Sequence, residues 1–491
     1  MSVTPIRLAE LMTDESLKGY VKKELDSEAF LLTANGAIIE SKAAALIAKK
    51  LKPFLSYSLE SEYWLSYTGT YWAIDELHKQ KIYELVDQGT GSFGFENKYF
   101  NNIHKMIIAS NALPFNDTDK GDFIPFSNGL FDVNAETLIP HSPDKSLAWC
   151  LPYDYKKGAE CPTILQFLDN ATGGNKEVVA FLRAWLAGLL RGRGSELQIF
   201  LHLLGEAGTG KGTFIRLCSE LVGARNIAST SMKLMETDKF ETESYYNKRL
   251  IVIADNTSFC GGTEVFNNLT GGDPIRSERK RVQKKTTFIF EGMVLVASNE
   301  HLQTSDKNTG FNRRRRTVRF DKIATADQKE DWAKKGGESA VLHSEMAGLV
   351  NWLLELSHTD IVRAMHNPPE CVLSENLDAM AADNPLIDWF MESIIPEPLA
   401  KTPFGCSIKR TSSGSETSYE DSDTKLYPSY LLYCQRHNKF AISWRVFRAK
   451  FMSVARTLHA DIVEDRDRVL SWCVVGISIR GEWTERHKWR L

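Results

Sequence analysis

Between Ser195 and Gly223 an apolar run, Leu197 to Leu204, leads into Gly205-Glu206-Ala207-Gly208-Thr209-Gly210-Lys211-Gly212-Thr213, and an amphipathic helical pattern follows. Few segments restrict a chain more. A strand that empties into a Gly-rich turn and then a helix brings backbone amides and the positive end of the helix to one point. A lysine at the helix start reaches the β- and γ-phosphates of a nucleotide there. The segment therefore predicts a phosphate-binding loop at residues 205–213, with ATP as the ligand and Lys211 on its phosphates. Gly212 stands where a Ser or Thr hydroxyl normally ligates Mg²⁺, so Thr213, one place later, is the expected metal ligand. The alternative is an ordinary Gly-rich strand-to-helix turn.

A nucleotide-hydrolysing site also needs an acid on a neighbouring strand. Lys248 to Asn256 supplies an apolar strand ending in Asp255, a candidate Mg²⁺ ligand and catalytic acid. Asn256 occupies the position of a second acid in many such enzymes, which leaves the group that activates water open. A third strand, Glu291 to Glu300, ends in Asn299. Its amide suits an attacking water or the γ-phosphate; the plainer role is to cap the strand. Between these two strands Arg276, Arg279, Lys280, Arg281, Lys284 and Lys285 cluster in the middle of a strand-turn-strand pattern. Such a hairpin tip grips a phosphate backbone without reading bases; a solvated charged face is the rival. Four consecutive arginines, Arg313 to Arg316, follow the third strand. They suit an arginine finger offered to a neighbouring subunit, or a second nucleic-acid patch.

Short apolar strands alternating with Gly-rich turns and helices from Glu196 onward predict an α/β core with a mostly parallel sheet. The 491 residues suffice for about three domains. Boundaries read from texture are a mixed α/β region at 1–120, a linker and helical collar at 121–195, the core at 196–325, a helical region at 326–400, a flexible linker at 401–425 and a last unit at 426–491. That last unit reads as helix, helix, hairpin, the outline of a winged helix. Tyr63 to Asp75 reads as a hairpin turning at Thr68-Gly69, whose aromatics pack a small core or stack on bases. The eight cysteines are scattered, without a C-x-x-C pair, and read as small buried apolar residues of a reducing compartment. No secretory signal or apolar run of spanning length is evident, so the expected location is the cytoplasm of a host cell, with no membrane partner.

The order of loop, acid-terminated strand, basic hairpin and Asn-terminated strand between Gly205 and Asn299 resembles that of superfamily 3 helicases. The segments FIPFSNGLFDV, LPYDYKKGAECP, LTGGDPI, VLVASNE and FNRRRRTVRF are similar to the helicase region of phage, plasmid and poxvirus-type primase-helicases. The resemblance runs from about Trp64 to the C-terminus and is most specific between Gly205 and Phe320. It implies an AAA+ fold, a ring that is usually a homo-hexamer, and NTP-driven 3′-to-5′ movement on single-stranded or forked DNA. It assigns Lys211 as the Walker A lysine, Asp255 as the Walker B acid and Asn299 as sensor 1. It further assigns the Lys280 region, with Arg279, Arg281, Lys284 and Lys285, to DNA contact, and Arg314, then Arg313, to the arginine finger. Many relatives carry a primase or polymerase domain ahead of the helicase; some 60 residues precede the similar region here, which reads as a helicase without its primase, and a separate primase or polymerase is a candidate partner.

A replication initiator or helicase loader that uses ATP only as an assembly switch is the alternative function, favoured by the C-terminal unit and by Asn256. A small-molecule kinase would share the loop but leaves the basic segments without a role. The net charge of −3 excludes only a protein basic throughout. Residues 275–322 hold 13 Lys and Arg against 5 Asp and Glu, and residues 426–491 hold 12 against 6. The first 125 hold 13 against 17. A basic channel inside an acidic exterior would give such a near-neutral sum.

Overall fold

A computed structural model describes residues 38–89, 95–115, 123–254, 262–278, 286–302, 309–405, 410–413, 416–467, 471–481 and 484–489. The described residues open with helix α1 (Glu40–Leu51), a three-stranded antiparallel sheet of β1 (Leu55–Tyr57), β2 (Trp64–Tyr67) and β3 (Trp72–Ile74), and helices α2 (His78–Gly89) and α3 (Asn97–Ala109). The hairpin expected around Thr68-Gly69 is the β2–β3 pair. Trp64 and Trp72 are buried, so these rings pack rather than offer a stacking face. Strands β4 (Phe123–Phe126), β5 (Gly129–Asp132) and β6 (Thr137–Ile139) make a second small antiparallel sheet.

Helices α4 (Pro162–Ala171) and α5 (Lys176–Arg191) lead into the core. The Asn175 side chain accepts from the amides of Glu177 and Val178 and starts α5; Gly192, at φ 64°, ends it. The core sheet holds β7 (Phe200–Leu204), β8 (Ile227–Thr230), β9 (Leu250–Ile253), β12 (Met293–Ser298) and β13 (Arg315–Arg319). All neighbours are parallel, in the order β13-β7-β12-β9-β8. Strands β7, β9 and β12 are buried along their whole length, which is why they read as continuous apolar runs rather than alternating ones. One face packs on α4, α5 and α6 (Lys211–Val222) through Leu168, Trp185 and Phe214. The other carries Phe266 of α7 (Glu264–Gly271) and Phe311 of α8 (Thr309–Arg314) against Phe200. Each such fully buried side chain stabilises by roughly 1.5–3 kcal/mol.

Strands β10 (Ile275–Ser277) and β11 (Thr286–Phe288) pair as an antiparallel hairpin ahead of β12. After β13 come α9 (Ala326–Lys334), started by a reciprocal Thr325–Gln328 capping box, then α10 (Glu338–Leu354), α11 (His358–His366) and α12 (Glu370–Asp383).

The C-terminal unit carries the expected helix, helix and hairpin within a larger fold. It begins with α13 (Pro385–Ser393) and β14 (Ile394–Pro403), runs through α14 (Leu426–Arg436) and α15 (Trp444–Thr457), and ends in β17 (Val463–Asp467) and β18 (Ser471–Ile479). Its sheet is ordered β14-β18-β17. The stretch from Ser471 is one strand, and its hairpin partner is the upstream β17 rather than its own second half. The 401–425 stretch contains the end of β14 and a two-stranded hairpin of β15 (Arg410–Ser413) and β16 (Glu416–Tyr419), where a flexible linker was expected. The low apolar content that suggested a linker reflects strands of Ser, Thr and charged residues. Trp389, Tyr430, Phe447 and Phe451 form a separate aromatic core here.

Among the described residues no helix is long and apolar enough to cross a membrane. Cys161, Cys218, Cys434 and Cys473 are buried thiols outside any disulfide, and burial pushes the pKa of Cys218 well up and that of Cys161 up to about 12. Cys260 and Cys406 lie outside the described residues.

Candidate functional site

Strand β7 delivers the chain to the glycine loop at the edge of the sheet where the parallel strands end. Leu204 accepts from the Phe320 amide at 2.7 Å, and the Gly205 amide donates to Ser298 O at 3.3 Å, so strands on both sides pin the start of the loop. Thr209 closes it by donating to Glu206 O at 2.8 Å. Gly208 (φ 86°) and Gly210 (φ 95°) take the left-handed conformation that residues with a Cβ avoid. A Cβ at Gly208 would meet nothing within 4 Å, whereas one at Gly210 would press on the Phe167 ring at 3.1 Å. The loop thus keeps an open concave side and rests its back on α4. Gly210 is the N-cap position of α6, which starts at Lys211.

Lys211 is buried, with 9% of its surface exposed. Its ammonium donates to Gly205 O, to Glu206 O at 2.8 Å and to Asn299 Oδ1 at 3.0 Å. Asn299 follows the last residue of β12, which lies between β7 and β9. The structure therefore brings Lys211 and Asn299 together at the ends of adjacent strands. Thr213 lies in the first turn of α6, where its hydroxyl accepts from Arg216 at 3.5 Å, and Arg216 pairs with Glu338 at 2.6 Å. Asp255 and Asn256 lie outside the described residues, as do Arg279, Lys280, Arg281, Lys284 and Lys285. The strand before Asp255, β9, ends at Ile253, one strand over from Asn299.

The loop forms one wall of a cavity of about 1400 Å³ that also reaches Thr163, Phe167, Trp332 and Lys335. Phe167 and Trp332 meet edge to face with centroids 6.0 Å apart. Sequence reasoning missed this aromatic wall. Both residues stand in helical patterns, and only the packing of α4 and α9 beside the loop shows their role; the Thr325–Gln328 capping box was the one legible sign of where α9 starts. A three-carboxylate or His/Cys cluster able to hold a metal is absent among the described residues. Of the two expected Mg²⁺ ligands, Thr213 is described and Asp255 is not.

The four arginines do not form one basic face. Only Arg313 is exposed. Arg314 donates to Asn267 Oδ1 on α7 at 3.4 Å; burial, and then Arg313 beside it, lower its pKa. Arg315 is fully buried, with its guanidinium over the Phe311 ring at 4.9 Å and a bond to Leu302 O at 3.3 Å. Arg316 donates to Met365 O at 3.1 Å, and burial brings its pKa down to about 10. Arg315 pairs in register with Phe200, and Arg319 with Leu204. Arg313 and Arg314 therefore stand at the opposite edge of the sheet from the glycine loop, about 16 Å away along the strand.

Residues 44–173 match the family described as D5 N terminal like, and residues 203–316 match a family of unknown function, DUF5906. The uncharacterized mitochondrial protein ymf21 of Marchantia polymorpha is 30% identical over 150 residues, which are 28% of this chain and 79% of ymf21. Another from the same organism, ymf20, is 26% identical over 171 residues, 34% of this chain and 94% of ymf20. An apo A-form structure of the NrS-1 C-terminal region (305–718) aligns with 11% identity and a TM-score of 0.46, covering 89% of this chain and 100% of that one. A further apo structure of that region gives 12% and 0.42, with the same coverage. With 30% identity across 79% of ymf21, the chain belongs to the same protein family as that Marchantia mitochondrial protein.

Proposed function

We propose that the chain is an ATP-dependent DNA helicase that moves along single-stranded DNA during replication of a phage, virus or plasmid-like element. The observation that carries this is the junction of Lys211 and Asn299 at the ends of adjacent parallel strands, 3.0 Å apart. A lysine on the phosphates and a neutral amide beside it are what hydrolysis of a γ-phosphate requires: one cation to offset charge, one dipole to orient water. The strand order supports an AAA+ core. Numbered one to five along the chain, the core strands lie 5-1-4-3-2, with the Asn299 strand between the loop strand and the strand that leads to Asp255.

In this account the open side of the Gly208 turn and the start of α6 bind the phosphates, and Lys211 turns from Gly205 and Glu206 to the β- and γ-oxygens. Thr213 and Asp255 hold Mg²⁺, which supplies further charge neutralisation. Phe167 and Trp332 close the far wall of the cavity. Arg313 and Arg314 face away from their own loop, so they act on the loop of a neighbouring subunit, as in a homo-hexameric ring. Arg314 is bonded to α7, and α7 runs directly into β10 of the basic hairpin. A change at the neighbour's phosphates thereby reaches the segment carrying Lys280, which grips the DNA backbone.

The C-terminal unit favours a second reading, an initiator or loader. Helices α14 and α15 followed by the antiparallel β17–β18 pair support a winged-helix-like reading, which would suit duplex DNA. Fork unwinding by the full chain separates the two. The motor unwinds with ATP and stops in Lys211→Ala; a loader binds forked DNA with ATP and unwinds nothing.

A further inference from the structure

Strand β7 is apolar except for one residue at its centre. His202 is fully buried, in a sheet interior where an unpaired polar group costs several kcal/mol. Its partners come from the two flanking strands. Nε2 lies 2.7 Å from Ser298 Oγ on β12, and Nδ1 lies 3.4 Å from Thr317 Oγ1 on β13.

The bonds can be followed in one direction. Ser298 spends its hydroxyl proton on Glu300 O, so its oxygen accepts from His202. Nε2 therefore carries the imidazole proton, and Nδ1 accepts from the Thr317 hydroxyl. Burial, then the nearby Arg315 and His301 charges, hold the ring's pKa well below the ordinary histidine value, which keeps this single-proton form at neutral pH. Behind Thr317 the line continues. Its amide donates to Asn376 Oδ1 at 2.8 Å, and Asn376 Nδ2 donates to Arg315 O at 2.9 Å.

The far end of this line brackets Asn299. Ser298 precedes Asn299 and receives the His202 proton donor; Glu300 follows it and receives the Ser298 hydroxyl. The turn by which Asn299 leaves β12 is thus tied on both sides, and its amide meets Lys211 at 3.0 Å. An apolar residue at 202 would fill the strand equally well but would leave Ser298 one partner short.

We propose that His202 is a positioning residue for phosphate chemistry: through Ser298 and Glu300 it fixes Asn299 against Lys211, and through Thr317 and Asn376 it joins that pair to the arginine-bearing strand. The inference rests on the ATPase reading above.

The test compares His202→Leu with His202→Gln. Glutamine keeps a donor for Ser298 and an acceptor for Thr317; leucine keeps only volume. In the full chain, His202→Leu should lower the ATPase kcat by about 10–100-fold with KM for ATP changed less than about threefold, because misplacing a catalytic group affects the rate more than binding. His202→Gln should recover most of kcat at a thermal midpoint close to that of His202→Leu. Ser298→Ala should match His202→Leu and add little to it in the double variant. A wild-type kcat in His202→Leu overturns the proposal, as does an equal loss in both variants that follows their thermal midpoints. A second readout needs no turnover: acylation of Lys211 by an amine reagent, followed by mass spectrometry, should speed up in His202→Leu and not in His202→Gln. If the wild type hydrolyses no ATP, the motor reading fails, and the labelling result alone then decides for or against His202.

Discussion

The Lys211 ammonium donates to Asn299 Oδ1 at 3.0 Å, across the gap between strands β7 and β12. Two residues 88 positions apart are thereby joined at the point where the glycine loop opens. For Asn299→Ala the expected outcome is a kcat for ATP about 10²–10³-fold lower, with nucleotide affinity within a few fold of wild type, since one oriented dipole at a reacting phosphate is worth about that much. Steady-state hydrolysis beside equilibrium binding of a fluorescent ATP analogue checks it. Equal losses in both would make Asn299 a loop-shaping residue instead.

Arg313 and Arg314 stand at the sheet edge away from their own loop. Lys211→Ala and the double variant Arg313→Ala/Arg314→Ala should each be inactive alone. Mixed, they should recover part of the ATPase, because some interfaces then pair an intact loop with intact arginines. Activity that stays at baseline across all mixing ratios would place the arginines' role within one subunit.

Gly208 and Gly210 share a positive φ but differ in surroundings. Alanine at either should cost about 1–2 kcal/mol of backbone strain. Gly210→Ala adds the Phe167 contact at 3.1 Å and should melt lower than Gly208→Ala. Gly208→Ala, whose new methyl points into open space, should lose nucleotide binding with less loss of stability. Calorimetry with a binding titration on both variants distinguishes them.

Trp389 is fully buried in the C-terminal core and donates to Ser429 Oγ at 3.1 Å. Trp389→Ala should destabilise that unit by about 3–5 kcal/mol. Because its packing is separate from the core that supports the glycine loop, ATP binding should persist at temperatures where limited proteolysis already cuts beyond residue 385. Simultaneous loss of both would mean that the two cores fold as one.

Local patterns with strong steric or electrostatic causes were legible in the sequence. The glycine loop, the Asn-terminated strand and the Thr68-Gly69 hairpin each depend on residues close in the chain. Strand order was not, because which strand lies between β7 and β9 is decided by long-range pairing. The third strand of the C-terminal sheet was hidden for the same reason: β14 joins β18 from a distance along the chain, and its polar outer face carries no apolar rhythm. The arginine run hid a different kind of detail. Four identical charges in sequence take different burial and different partners once a helix passes into a strand, and Arg315 ends fully buried against Phe311. His202 stood in plain view inside an apolar strand, but its meaning lies in Ser298 and Thr317, which the sequence places 96 and 115 residues away.

ATP hydrolysis by the full chain, measured with and without single-stranded DNA, tests the motor most directly when Lys211→Ala is run beside it. The account predicts hydrolysis that rises severalfold with DNA in the wild type and falls to background in Lys211→Ala. Hydrolysis indifferent to DNA, or unchanged by the loss of Lys211, would contradict it.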